Sequence, residues 1–261
     1  GLVRVEAGGA VLEGEAFDYD RAQGALRTGS GGRFSTAGLA GHAPEMSFSE
    51  GADEVRLSGG FRVEMAAGDG TGRALVLSGD SLVYERRRRR GRVDGRAALE
   101  GQGFRGGSAA ASFSASRDES SLESAAFEGA AKVVVNGNGP AGEGSGEVSA
   151  DRVDVSFSGD RSGLMITASG RSRLFLRSGA DRTETVLAPT ALVKFVRVDG
   201  LWTWSASGGV RAEVRAGNGI DRTLEGEEIG CDPANGIRGS GGPGRPAVAD
   251  SAEARVEASA I

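Results

Sequence analysis

The chain has 261 residues, 36 acidic and 31 basic side chains, a net charge of −5 and 38% hydrophobic residues. This balance lacks the overall basic character usual in a nucleic-acid binder, so no nucleic-acid partner is expected, and it is too apolar for a disordered chain. A single cysteine, Cys231, forbids an intrachain disulfide, and a single histidine, His42, leaves no His/Cys set for zinc.

No nucleophile elbow accompanies His42, the acidic residues form no paired-carboxylate constellation, and no calcium-loop pattern is present. Neither an enzyme nor a cofactor is therefore expected. No run reaches the roughly 20 apolar residues of a membrane helix. The chain starts with Gly rather than Met, which suggests a mature or excised form; a removed N-terminal signal or anchor would leave no trace in it. The 45 glycines against 6 prolines suit many tight turns between paired strands.

In chain order, one phrase recurs: a small residue, two variable ones, an apolar one, a variable one, an apolar one. It starts at residues 14, 43, 79, 108, 150, 188, 226 and 249, a mean step of (249 − 14)/7, about 34 residues. The first copies place Phe17 and Tyr19, Met46 and Phe48, Leu82 and Tyr84, and Ala111 and Phe113 on alternate positions. A polar turn follows most copies, at residues 20–24, 49–53, 114–118, 159–163, 199–200 and 232–236, rich in Asp, Gly, Ser and Asn. In the third unit Arg86, Arg87, Arg88, Arg89 and Arg90 occupy that turn, so the five arginines are expected to form a solvated hairpin tip whose replacement by serine leaves folding intact.

After the turn comes an alternating strand with a small residue and glycine in its middle. Val55 and Leu57 lead through Ser58 and Gly59 to Phe61, Val63 and Met65. Ile166 leads through Ser169 and Gly170 to Leu174 and Leu176, and Trp204 through Ser207 and Gly208 to Val210 and Val214. Period two with apolar residues on one side predicts half-buried strands, and the glycine marks a bulge or sharp bend where the chain passes from one sheet to the other. Trp202 and Trp204 share a face, His42 is expected at the surface, and Cys231 is expected as a buried thiol. Residues 136–147 are read as a long loop or hinge inside one repeat-built domain, 1–261.

Stacked units of this kind bury one continuous apolar interior. At ~4.8 Å per strand the stack is roughly 35–40 Å long, with facing sheets about 10 Å apart. Such a slot suits a long, thin, apolar ligand.

The phrases resemble the LptA/LptC/OstA-like family of lipopolysaccharide-transport proteins. Residues 77–84 (LSGDSLVY) and 148–155 (VSADRVDV) look like its small-Asp, apolar, Tyr strand, and residues 57–63 (LSGGFRV) like its second strand. The similarity runs from about Val11 to Ala258. It implies an all-β fold, an elongated antiparallel β-jellyroll shaped like a folded taco. It implies a periplasmic carrier or bridge that holds lipid A acyl chains in its groove and pairs edge to edge with other jellyroll domains. The groove candidates are Phe17, Tyr19, Phe48, Phe61, Val63, Tyr84, Phe113, Leu174 and Leu176, and the five arginines are candidates for anionic headgroup or phosphate contact. An acyl chain of ~12 carbons gains up to about 10 kcal/mol at ~0.8 per buried CH₂. The rival reading is a secreted or surface structural or adhesive β-repeat protein with a dry core.

Overall fold

The computed structural model describes residues 1–7, 9–22, 24–36, 38–65, 75–101, 103–117, 119, 121–139, 142–157, 163–178, 182–196, 201–216, 219–232, 236–241, 247–251 and 255–258. The described residues are all-β, with antiparallel pairing in every ladder. The chain divides into two compact units, Gly1–Gly129 and Ala130–Ile261.

The first unit starts with seven short strands: β1 (Val3–Ala7), β2 (Ala10–Gly14), β3 (Asp18–Asp20), β4 (Ala25–Thr28), β5 (Gly32–Ser35), β6 (Leu39–Ala43) and β7 (Glu45–Ser49). Longer strands follow: β8 (Glu54–Met65), β9 (Leu75–Glu85), β10 (Arg90–Gly101), β11 (Phe104–Ala115) and β12 (Leu122–Gly139), the last running across the unit boundary. The short strands are half-strands. β1, β2, β5 and β6 pair in series onto residues 62–65 of β8. β3, β4 and β7 pair in series onto residues 54–58 of the same strand. Pro44, which lacks a donor, sits at the break between β6 and β7, where its carbonyl accepts the Gly31 N–H at 2.7 Å.

β8 thus belongs to two layers, called A (with residues 61–65) and B (with residues 54–58). The layers face each other. Gly32 of layer A leaves no room for a side chain, because Met46 and Thr28 of layer B lie against it. Gly106 of layer A is covered by the Phe127 ring, which lies on the layer B half of β12, where Ser124 bonds Ser114 of β11 at 2.8 Å.

The second unit continues with β13 (Gly142–Phe157), β14 (Gly163–Ser178), β15 (Arg182–Val196), β16 (Leu201–Ala216) and β17 (Gly219–Asp232), each paired with the next. Half-strands return at its end. β18 (Gly236–Ser240) pairs with residues 228–232 of β17, while β19 (Ala247–Ser251) pairs with residues 222–225 and with β20 (Arg255–Ala258). Residues 136–147 correct the expectation of a long loop. β12 runs to Gly139 and β13 starts at Gly142, so most of the segment is strand.

Alternate long strands carry a two-residue corner with positive φ: Gly59–Gly60, Gly95–Arg96, Gly129–Ala130, Gly170–Arg171 and Gly208–Gly209. The first residue is always glycine, the type that reaches this region without steric cost. At each corner whose register is described, the bent strand carries one residue more than its neighbour. Ser169 pairs with Thr190 and Ser172 with Ala188, so Gly170 and Arg171 face Pro189 alone. That is the count of a β-bulge, which bends the strand. It lies where the small–Gly phrases predict it. The corner glycines are 36 (95 − 59), 34 (129 − 95), 41 (170 − 129) and 38 (208 − 170) residues apart.

Candidate functional site

The interior of each unit is built by alternation. On either side of its corner β8 buries Val55 and Leu57, then Phe61, Val63 and Met65. β14 does the same with Ile166 and Ala168, then Leu174 and Leu176. Most groove candidates lie inside: Phe48, Phe61, Val63, Tyr84, Phe113, Leu174 and Leu176 are buried. Phe17 is half-buried, with its ring against Gly14. Tyr19 is a correction. It is 60% exposed on β3, because the alternation of a three-residue strand does not say which side faces in.

The structure brings some candidates together. The Tyr84 and Phe113 rings stack at 5.9 Å with 9° between planes. Val63, Leu77 and Leu99 of layer A and Phe113 and Leu122 of layer B line a cavity of about 10 Å³, room for at most one water. Layer contacts of this kind are dense apolar packing. Leu174 and Leu176 belong to the second unit.

Two carboxylates, neither singled out by the sequence, tie facing layers. In the first unit Glu119, in the turn after β11, accepts from the Tyr84 hydroxyl (2.9 Å) and from Thr36 Oγ1 (2.9 Å). Tyr84 is in layer B and Thr36 in the β5–β6 turn of layer A, so one side chain bridges the strand ends furthest from the corners. In the second unit Glu184 of β15, 5% exposed, accepts from the Trp204 indole N–H at 2.9 Å. Glu184 lies before the Pro189 corner and Trp204 before the Gly208 corner, in opposite layers. Burial, and then the Glu119 carboxylate, push the Tyr84 phenol above its ordinary value near 10. Its neutral form is favoured by the fold, so its contribution is fully present below pH about 10 and is lost as pH rises beyond that. Tyr84→Phe is expected to flatten the loss of stability in alkaline urea titrations; an unchanged pH slope would remove the tyrosine from that role.

The corners carry ion pairs. Arg96 Nε lies 2.8 Å from Asp80 Oδ1, and Arg171 Nη2 lies 2.7 Å from Asp151 Oδ1. The hydrogen bond from Arg171 holds the Asp151 carboxyl below the usual range. These aspartates are the acidic positions of the phrases LSGDSLVY and VSADRVDV. The dipeptides Gly95–Arg96 and Gly170–Arg171 are the signal that pairs with them. Both pairs are exposed and contribute geometry more than stability.

The arginine tip is a hairpin of Arg86 to Arg89, and Arg90 already pairs with Glu85 as the first residue of β10. Arg89 closes the turn, its N–H donating to the Arg86 carbonyl at 3.0 Å. The expectation that all five are solvated is corrected at Arg86. Its side chain is 14% exposed, with Nη1 3.1 Å from Asp53 Oδ1, and its N–H donates to the Asp53 carbonyl. Arg87 reaches the same carboxylate at 3.7 Å, and Arg88 reaches Glu85 at 2.9 Å. Arg86→Ala is expected to cost about 1–2 kcal/mol. Arg87→Ser and Arg88→Ser should stay within about 0.5 kcal/mol. Urea midpoints of the three variants check this; equal costs would contradict it.

His42 is exposed, in the cross-strand row Arg4, Glu13, Arg33, His42, Arg62 on the outside of layer A. Cys231 is half-buried rather than buried. The side chain of Trp202 lies outside the described residues. Among the described residues no three His, Cys, Asp or Glu side chains cluster as a metal site.

No family model, no curated protein and no solved structure matches this chain. The reading of function rests on the interior and on the phrases themselves.

Proposed function

We propose that the chain is a periplasmic lipopolysaccharide carrier or bridge component, a non-enzymatic β-jellyroll folded like a taco that holds lipid acyl chains between its layers. The observation that carries the reading is the recurring bent strand, whose buried side is apolar on both arms in β8 and β14 alike. Two facing apolar arms joined at a corner can part at their far ends without breaking the ladder, and a parted pair is a groove. Of the phrases that resemble the lipopolysaccharide-transport family, residues 57–63 span the β8 corner, while residues 77–84 and 148–155 lie on the neighbouring strands β9 and β13, where Asp80 and Asp151 pair with the corner residues Arg96 and Arg171. In this reading Glu119 and the Trp204–Glu184 pair are closures that yield when cargo enters. β1 offers an edge for pairing with a like jellyroll domain, having no ladder partner but β2 among the described residues.

A second reading, a structural or adhesive repeat protein, is favoured by one observation: beside Phe113 and Leu122 the facing layers leave a cavity of only about 10 Å³. Native mass spectrometry after incubation with lipid A separates the two. The carrier reading expects a complex heavier by one lipid A. Only the free-chain mass, from protein shown to be folded, would favour the structural reading.

A further inference from the structure

The outside of one layer of the second unit carries an amphipathic patch. Arg173, Phe175 and Arg177 alternate outward on β14, opposite the buried Leu174 and Leu176. Phe175 is 37% exposed. The cross-strand partner of Arg173 is Leu187, 46% exposed, and beyond Leu187 stands Arg211. The partner of Arg177 is Thr183, and beyond Thr183 stands Arg215. The four arginines therefore frame a rectangle two strands, or about 10 Å, wide, with Phe175 and Leu187 on its edges.

The two sides of the frame differ. Glu213 lies between Arg211 and Arg215 and pairs with both, at 3.1 and 3.7 Å. Arg173 and Arg177 have no carboxylate partner among the described residues. The nearest cross-strand acid, Glu147 opposite Phe175, is held by Lys132 at 2.8 Å. Among the described residues, two guanidinium groups without a carboxylate partner thus flank an exposed aromatic ring on a chain whose net charge is −5.

We propose that this face docks on an anionic lipid bilayer, with Arg173 and Arg177 on headgroup phosphates and Phe175 and Leu187 at the headgroup–acyl boundary. Free cations alone would suit any polyanion. The exposed ring and leucine between them suit an interface that is charged above and apolar below. The surface is the outside of the layer whose inside buries Leu174 and Leu176, so the inference stands apart from the carrier reading.

The test is co-sedimentation of the full chain with vesicles of phosphatidylcholine alone or with phosphatidylglycerol added. Binding is expected only to the anionic vesicles. The double variant R173S/R177S should lose roughly 25-fold in affinity, at roughly fivefold per arginine, and Phe175→Ser should lose several-fold. The charge-matched control R92S/R105S changes two arginines whose carboxylates, Asp94 and Glu100, are neighbours in the first unit, and should bind as wild type. Circular dichroism should match in all variants, since every changed residue is exposed or half-buried on an outer face. The proposal is overturned by absence of binding to anionic vesicles or by equal loss in both double variants. It is also overturned if RNA binds through the two arginines and vesicle affinity is indifferent to Phe175.

Discussion

Phe127→Ala is expected to cost about 3–5 kcal/mol, read as a lower urea midpoint with unchanged slope. Phe127 is fully buried, covers Gly106 of the facing layer, and sits 6.5 Å from the Phe104 ring at 40°. Its removal leaves a hole that rigid strands on two sides cannot fill, so the cavity adds to the lost transfer energy. Gly106→Val attacks the same contact from the other layer. The ring already occupies the space, and the expected cost is about 1–3 kcal/mol. If the two layers face as described, the double variant should cost less than the sum, because valine fills part of the hole left by alanine. Strict additivity would mean that the two sites do not touch.

Trp204→Phe is the second large expected effect. The indole N–H is the donor to a carboxylate buried between layers, and phenylalanine keeps most of the ring while deleting that donor. Leaving Glu184 one hydrogen bond short is expected to cost about 1–3 kcal/mol. Glu184→Gln keeps an acceptor oxygen and should cost less than the tryptophan change. Equal costs from W204F and E184Q would show that charge, not the hydrogen bond, holds the pair. Under the carrier reading, W204F should also take up lipid A faster than wild type, since one closure is gone.

The strands were legible because their pattern is local. Alternation in residues 55–65 or 164–176 can be read within one window, and a glycine in the middle marks the bend. The ties were not legible, because their partners are distant in sequence. Asp80 meets Arg96 across a hairpin, Arg86 meets Asp53 33 residues back, and Glu119 meets Thr36 83 residues back. Alternation also does not tell inside from outside in a short strand, which is why the phrase predicts Tyr19 inward while the side chain stands outward. The same limit hid the patch on β14. Leu174 and Leu176 read as the apolar side, and Phe175 between them gives no sign that it stands exposed between two arginines that have no carboxylate partner among the described residues.

The central claim, that acyl chains lie between the layers, is tested most directly by photo-crosslinking. Benzoylphenylalanine replaces Phe61 or Leu174, which point inward, or Arg62, which points outward next to Phe61. The account predicts lipopolysaccharide adducts at Phe61 and Leu174 and none at Arg62. Adducts at Arg62 alone, or at no inward position in variants shown to be folded, would contradict it.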